Sequence, residues 1–339
     1  MVGFGKMGRI RADSVKGHAD VKVTKVFDSY DTSPCEYQRA ATAQEIIDDP
    51  DIDAVFVCLP NHLNKDTTIS ALRAGKHVFC EKPPAFNAAE VREIQAAEIA
   101  AGKVLMYGFN HRHHDAVVKM HELIRSGRYG KILWMRGRYG KSVDNNYLNT
   151  WRANQKLAGG GILIDQGIHM LDLFLYLSKG SFDEIHALVS SRYWNIADVE
   201  DNVFAIMRDS NTGVEASLHS TMTQWRHLFS IEVFLERGYM VLNGLKTSSN
   251  SYGDEELTVA LNRSTAPAAT WEDEERFKYH TDNSWDREAD AFLHAITGGQ
   301  GATIGTSEQA LQVMDVIDRI YSNKRRESSQ LYDTLNGGR

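Results

Sequence analysis

Gly3-Phe4-Gly5-Lys6-Met7-Gly8 opens the chain with the spacing G-x-G-x-x-G, and a helix-forming run follows from Arg9. In a dinucleotide-binding βαβ unit the first glycine makes the tight turn and the second admits a pyrophosphate to the backbone. The third lets the helix pack on the sheet, with its N-terminus toward the phosphates. Glycines also serve ordinary turns, so the neighbouring residues must carry the reading. Val21 to Phe27 alternates and is β-branched, as a strand would be, and ends at Asp28, twenty residues after Gly8. A carboxylate there accepts ribose hydroxyls and repels a 2′-phosphate, and no arginine follows it directly, so NAD is favoured over NADP. A first strand needs roughly four to six residues, yet only Met1 and Val2 precede Gly3. The expectation is therefore a native start upstream.

Strands and helices then alternate. Ala54 to Leu59 is a short apolar run, as in a strand buried on both faces. Asn64 to Ala74 reads as a helix closed by Gly75, His77 to Cys80 as a strand, and Ala88 to Ala101 as a helix stopped by Gly102. Val104 to Tyr107 is a further strand. Glu81-Lys82-Pro83-Pro84 lies at a strand's C-terminal end, where open parallel sheets place ligands. The cofactor residues expected from this half are Gly3, Gly5, Lys6, Met7, Gly8, Asp28, Leu59, Pro60, Asn61, Glu81 and Lys82. The bond before Pro83 is a candidate for cis geometry.

The second half changes character. Ile132 to Tyr139, Glu184 to Tyr193, Val203 to Arg208, Val214 to Thr221 and Phe229 to Leu235 read as successive strands. Asp209 to Gly213 and Glu236 to Gly238 read as hairpin turns. Ser249 to Trp271 is polar and reads as an irregular surface segment, while Asp286 to Thr297 and Ser307 to Ser322 read as amphipathic helices. Such a meander needs helices on one face and leaves the other to a partner.

Gly159-Gly160-Gly161 leads into a helix from Ile162 to Leu177 that is apolar on nearly every side, yet holds Asp165, His169 and Asp172. In a regular helix that i, i+4, i+7 spacing puts all three on one face. Buried ionisable groups are costly unless paired or chemically used. The choice is between a structural ion pair and an acid/base site. Asp172 fits the structural role better.

Bulk properties narrow the classes. The net charge of −7 and a pI near 6.0 argue against nucleic acid or an anionic membrane as partner. No apolar run is long enough for a membrane span. Three cysteines without metal-type spacing fit a reducing cytoplasm. His111-Arg112-His113-His114-Asp115 looks like a metal cluster, but no second Cys/His set recurs at ligand spacing, and no metal is expected.

The chain resembles the Gfo/Idh/MocA family, the oxidoreductases related to glucose–fructose oxidoreductase and inositol 2-dehydrogenase. The resemblance rests on the glycine run, on Ala74-Gly-Lys-His-Val-Phe-Cys-Glu-Lys-Pro83, and on Gly108-Phe-Asn-His-Arg112. It continues through Trp151-Arg152 and Gly159 to Asp172, in family order. One departure is Pro60-Asn-His-Leu-Asn64: family members often carry a histidine a few residues after the proline, where this chain has asparagine, with His62 earlier.

The resemblance implies an α/β chain: a doubly wound Rossmann domain over residues 1–112 and an α+β domain over 113–339. The second domain carries a large, mostly antiparallel open sheet that serves as a subunit interface in a homodimer or homotetramer. It implies a catalytic set of Lys82, Asp165 and His169 acting on a sugar, inositol or sugar-nucleotide hydroxyl. Asn110, Arg112, Trp151 and Arg152 join that set around the substrate. His169 is the base by its intrinsic pKa, and Lys82 stabilises developing alkoxide charge. Two alternatives stay open: non-redox sugar chemistry with retained NAD, and a non-catalytic sensor of dinucleotide.

Overall fold

The computed structural model describes residues 1–336, with side chains through Asn323. The chain runs α1 (Lys6–Val15), β1 (Lys25–Val26), β2 (Gln38–Arg39), α2 (Ala43–Ile47), β3 (Ala54–Val57), α3 (Asn61–Arg73), β4 (His77–Glu81), α4 (Ala88–Ala101) and β5 (Leu105–Gly108). It continues as α5 (Asp115–Arg125), β6 (Ile132–Gly140), α6 (Gln155–Ala158), a π-helical turn Leu163–Gly167, and α7 (Ile168–Ser178). Next come β7 (Glu184–Ser190), β8 (Asn202–Arg208), β9 (Glu215–Thr221), β10 (Leu228–Leu235), β11 (Gly238–Asn243), β12 (Glu255–Leu261), β13 (Glu275–Tyr279), α8 (Ser284–Thr297) and α9 (Ser307–Asn336).

The residues fall into two compact units that are not consecutive. The first comprises Met1–His113, Lys156–Gly159 and Asn283–Met314, and the second comprises His114–Gln155, Gly160–Asp282 and the remainder from Asp315. A single division at 112/113 does not describe this. The physical reason is α8, whose Ala289 and Phe292 are fully buried in the core of the first unit. Phe292 meets Phe56 and Phe79 edge-on at 5.4 and 5.5 Å.

The sheet of the first unit is parallel throughout. β1 pairs with β2, β3 with β4, and β4 with β5. The first strand is reduced to one residue: Val2 bridges Phe27 on one side and Val57 on the other, both in parallel. Four backbone bonds, Val2 N to Phe56 O, Cys58 N to Val2 O, Gly3 N to Phe27 O and Phe27 N to Met1 O, hold it there at 2.8–2.9 Å. Residues 21–24 stay outside the strand that alternation had extended from Val21.

The second unit contains an eight-stranded sheet ordered β13-β12-β11-β10-β6-β9-β8-β7. All pairs are antiparallel except β6 with β9. β8 shows how one face is sealed: Val203, Ala205 and Met207 are buried while Phe204 and Ile206 between them are 48% and 67% exposed. α7 lies on β6 and β9, and α5 on β11 to β13. The segment from Ser249 to Trp271 is not wholly irregular, since it contains β12, whose Leu257, Val259 and Ala260 are buried.

A buried acid ties α5 to this sheet. Glu255, 1% exposed, accepts from His114 Nδ1 at 2.8 Å, from the Ala116 amide at 2.9 Å and from the Lys246 amide at 3.0 Å. Glu255→Ala strands those donors and should cost about 2–4 kcal/mol, seen as a lower urea midpoint at unchanged slope.

Candidate active site

The first unit builds a phosphate cradle at the C-terminal edge of its sheet. Gly3 has φ +89°, and a Cβ there would sit 2.3 Å from the Cys58 carbonyl oxygen. A Cβ on Gly8 would sit 2.1 Å from the Gly3 carbonyl oxygen, so helix and loop touch backbone to backbone. Gly5 meets only the Asp28 carboxylate at 3.7 Å, and α1 starts with no side-chain cap. First-turn amides of Lys6, Met7 and Gly8 are thus presented to an anion. A dinucleotide pyrophosphate fits this backbone. Lys6 is exposed beside it and Met7 half-buried.

Asp28 also shapes the loop. One oxygen accepts from the Phe4 amide at 2.8 Å, and the other from the Tyr30 and Asp31 amides at 2.8 and 2.9 Å. A carboxylate has about four acceptor positions, so room for a ribose hydroxyl remains. Arg9 pairs with Asp31 at 2.9 Å, and Arg39 donates to the carbonyls of Asp31 and Ser33.

Leu59 and Pro60 are half-buried ahead of α3, and Asn61, its first residue, donates to the Ala158 carbonyl at 2.8 Å. Glu81 ends β4 with its carboxylate inside the unit, 2.7 Å from Arg11 Nε. Lys82 follows, half-buried, joined to Pro83 by a cis peptide bond. Asn64 Nδ2 holds both sides of it, donating to the carbonyls of Pro83 at 2.9 Å and Glu81 at 3.4 Å. Asn110 donates to Ser284 Oγ at 3.3 Å. Arg112, 2% exposed, donates to Gln309.

The second unit holds the remaining acid/base groups. Asp165 and His169 are 9% and 4% exposed, and Asp172 is fully buried. The helix carrying them is not regular: Asp165 sits in the π-helical turn, and α7 begins only at Ile168. Such turns recur at functional sites. Lys141 Nζ donates to Asp165 Oδ2 at 2.6 Å, and Arg152 Nε stands 3.5 Å from Oδ1. The Arg152 guanidinium lies 4.3 Å over the Trp151 ring. Of the residues expected at the substrate, Arg152 is therefore beside Asp165, with Trp151 packed on its guanidinium.

An aromatic wall continues from His169. Tyr139 is 6.3 Å from the imidazole, Tyr252 is 5.6 Å from Tyr139, and His227 is 4.8 Å from Tyr252. Burial, and then the nearby Asp165 carboxylate, push the Tyr252 hydroxyl up to about 12. Burial, and then Lys141, lower His227.

The helix start is fixed by Glu200, 1% exposed. Its carboxylate accepts from the Gly161 and Leu163 amides at 2.8 and 3.0 Å and from the Tyr321 hydroxyl at 2.8 Å. Lys141, Tyr252, His227 and Glu200 escape a reading of the sequence, because a lone polar residue after a strand or in a loop looks like surface.

Family comparison places these features. Residues 1–109 match the model of the oxidoreductase family with an NAD-binding Rossmann fold, and residues 117–241 match the GFO/IDH/MocA C-terminal domain. The chain belongs to the Gfo/Idh/MocA family. Levoglucosan dehydrogenase of Pseudarthrobacter phenanthrenivorans is 39% identical over 150 residues, 44% of this chain and 38% of that protein. Myo-inositol 2-dehydrogenase of Thermotoga maritima is 26% identical over 76% of this chain and 78% of its own. 1,5-Anhydro-D-fructose reductase of Ensifer adhaerens is 34% identical over 55% of each chain. The two relatives of higher identity are thus matched over 38% and 55% of their own lengths. Levoglucosan dehydrogenase in complex with NADH and levoglucosan superimposes with a TM-score of 0.81, at 25% identity and 96% coverage of both chains. The glycine run of this Gfo/Idh/MocA protein lies inside its NAD-binding Rossmann match. Among the described residues, no helix is long and apolar enough to cross a membrane.

Gly161 tests the helix anchor. A Cβ there would lie 2.0 Å from the Glu200 carbonyl oxygen. Gly161→Ala should therefore cost about 1–3 kcal/mol, read as a lower thermal midpoint.

Proposed function

We propose that this protein is an NAD(H)-dependent dehydrogenase that interconverts a hydroxyl and a carbonyl on a sugar, inositol or sugar-nucleotide. The observation that carries the reading is the buried Asp165 carboxylate, met by the half-buried Lys141 and Arg152, at the start of the helix that bears His169. Bound NAD would supply the hydride acceptor, held by Gly3, Gly5, Lys6, Met7, Gly8, Asp28, Leu59, Pro60 and Asn61. His169 takes the hydroxyl proton at an imidazole nitrogen, and Lys82 donates a hydrogen bond to the oxygen as it gains charge. Asp165 accepts from a neighbouring hydroxyl, and Lys141 donates to the next oxygen. An acceptor and a donor side by side suit adjacent ring oxygens. Trp151 and the Tyr139–Tyr252 wall offer flat apolar faces for a sugar ring. Asn110 and Arg112 are buried within their own unit and support the substrate less directly. The relatives' substrates, levoglucosan, 1,5-anhydro-D-fructose and myo-inositol, are all polyhydroxylated rings.

The exposed face of β7 and β8, with Leu188, Phe204 and Ile206, is the surface for a second copy of the chain. A cytoplasmic setting agrees with three free thiols.

A panel of levoglucosan, myo-inositol, D-glucose and alkyl glucosides with NAD, followed at the absorbance of the reduced cofactor, tests the reading. At least one ring should turn over, with NAD preferred to NADP. NAD binding with no turnover across the panel would sink the dehydrogenase and leave a sensor. His169→Ala should lower turnover by at least about 10²-fold with NAD affinity retained in a fluorescence titration.

A further inference from the structure

Arg11 is wholly buried on α1, in the interior of the first unit. Its Nε donates to Glu81 Oε1 at 2.7 Å and its Nη2 stands 2.6 Å from Glu288 Oε2 on α8. The guanidinium is packed 4.3 Å from the Phe79 ring and 4.7 Å from the Trp285 ring. Gly108 leaves room for the cluster, since a Cβ there would come within 2.9 Å of Glu81 Oε2 and 3.0 Å of Arg11 Nη2. Burial disfavours the Arg11 charge, but the two carboxylates outweigh it and raise its pKa. Burial pushes the Glu288 carboxyl up to about 7 against the pull of Arg11. One cation therefore serves two acids, and its Nε hydrogen bond goes to Glu81, the residue before Lys82.

Successive side chains of a strand point to opposite faces. The direction in which Glu81 is held thus fixes the direction in which Lys82 leaves the strand end. We propose that Arg11 is a positioning residue for Lys82, acting by holding the Glu81 carboxylate inside the unit. The guanidinium fork links the phosphate-binding helix, the Lys82 strand and α8. Lysine keeps the charge but cannot reach both acids through two nitrogens in fixed geometry. The inference rests on Lys82 being the group that contacts the reacting oxygen.

The test compares Arg11→Lys, Glu81→Gln and the double variant, with Lys82→Met as the check on the underlying role. Phe292→Leu, a core change in the same unit, gives a stability-matched control. Each protein is assayed for kcat and KM with NAD and the panel sugars, and for NAD affinity. Without any substrate, the pH dependence of Lys82 labelling by trinitrobenzenesulfonate is followed on its peptide by mass spectrometry. Arg11→Lys and Glu81→Gln should each lower kcat on the order of 10- to 100-fold, with NAD affinity within about twofold. The double variant should be no worse than the poorer single, as expected of coupled neighbours, and the Lys82 labelling midpoint should move in all three. Unaltered kcat and labelling in the single variants would overturn the proposal, as would an equal kcat loss in Phe292→Leu. If Arg11→Lys does not fold, Glu81→Gln decides by the same readouts. Full turnover in Lys82→Met removes the role assigned to Lys82, while the labelling shift still decides whether Arg11 orients it.

Discussion

The start of a helix leaves backbone amides without partners, and this molecule answers that constraint in two opposite ways. At Gly161 the amides are closed off internally: Glu200 takes two of them and a tyrosine hydroxyl as well. At α1 no side chain caps the amides, and glycines keep Cβ atoms out of the way. A closed helix start gives a rigid platform, from which Asp165 and His169 can be aimed. An open one is a binding site for a diphosphate. The first unit therefore presents backbone amides at its open helix start, and the second presents side chains beside its closed one.

The parallel half of the fold is legible because its signals are local. α4 appears with the bounds read from its composition, Ala88–Ala101, since Asn87 caps it and Gly102 takes a left-handed conformation at its end. β13 escaped because an edge strand such as Glu275–Tyr279 is rich in charge, as edges exposed to water are. Val2 could not be read as a strand from the sequence, since one residue has no periodicity. Only its two flanking strands define it. The return of α8 to the first unit is likewise a matter of tertiary packing, as its amphipathic pattern says that it has a buried face but not against what.

The site divides in the same manner. Residues whose chemistry is conspicuous in their surroundings could be singled out: an acid and a histidine in an apolar helix, a lysine between a glutamate and a proline. Lys141 could not, because a lysine just past a strand end is ordinary until it is found 2.6 Å from Asp165. Tyr252 lies in a polar, glycine-containing stretch, and only its burial against Tyr139 gives it a part in the wall. Glu81 was read as a cofactor ligand or a backbone acceptor, and the structure gives its carboxylate an arginine inside the unit.

Buried charges are poor sources of stability, since desolvation consumes most of what pairing returns. Hydrophobic residues of similar volume would hold α1, β4 and α8 together at least as well as Arg11, Glu81 and Glu288. What an apolar cluster lacks is direction. A guanidinium bonded through Nε to one carboxylate fixes the angle of the strand end that carries it, and a carboxylate bonded to two amides fixes the first turn of a helix. Both networks stand one or a few residues from an expected catalytic group: Glu81 beside Lys82, and the Gly161–Leu163 amides just ahead of Asp165. Other buried polar groups, such as Glu255 with His114, tie elements together away from those ends. A sub-ångström requirement at one strand end and one helix start accounts for these two networks better than any need for stability.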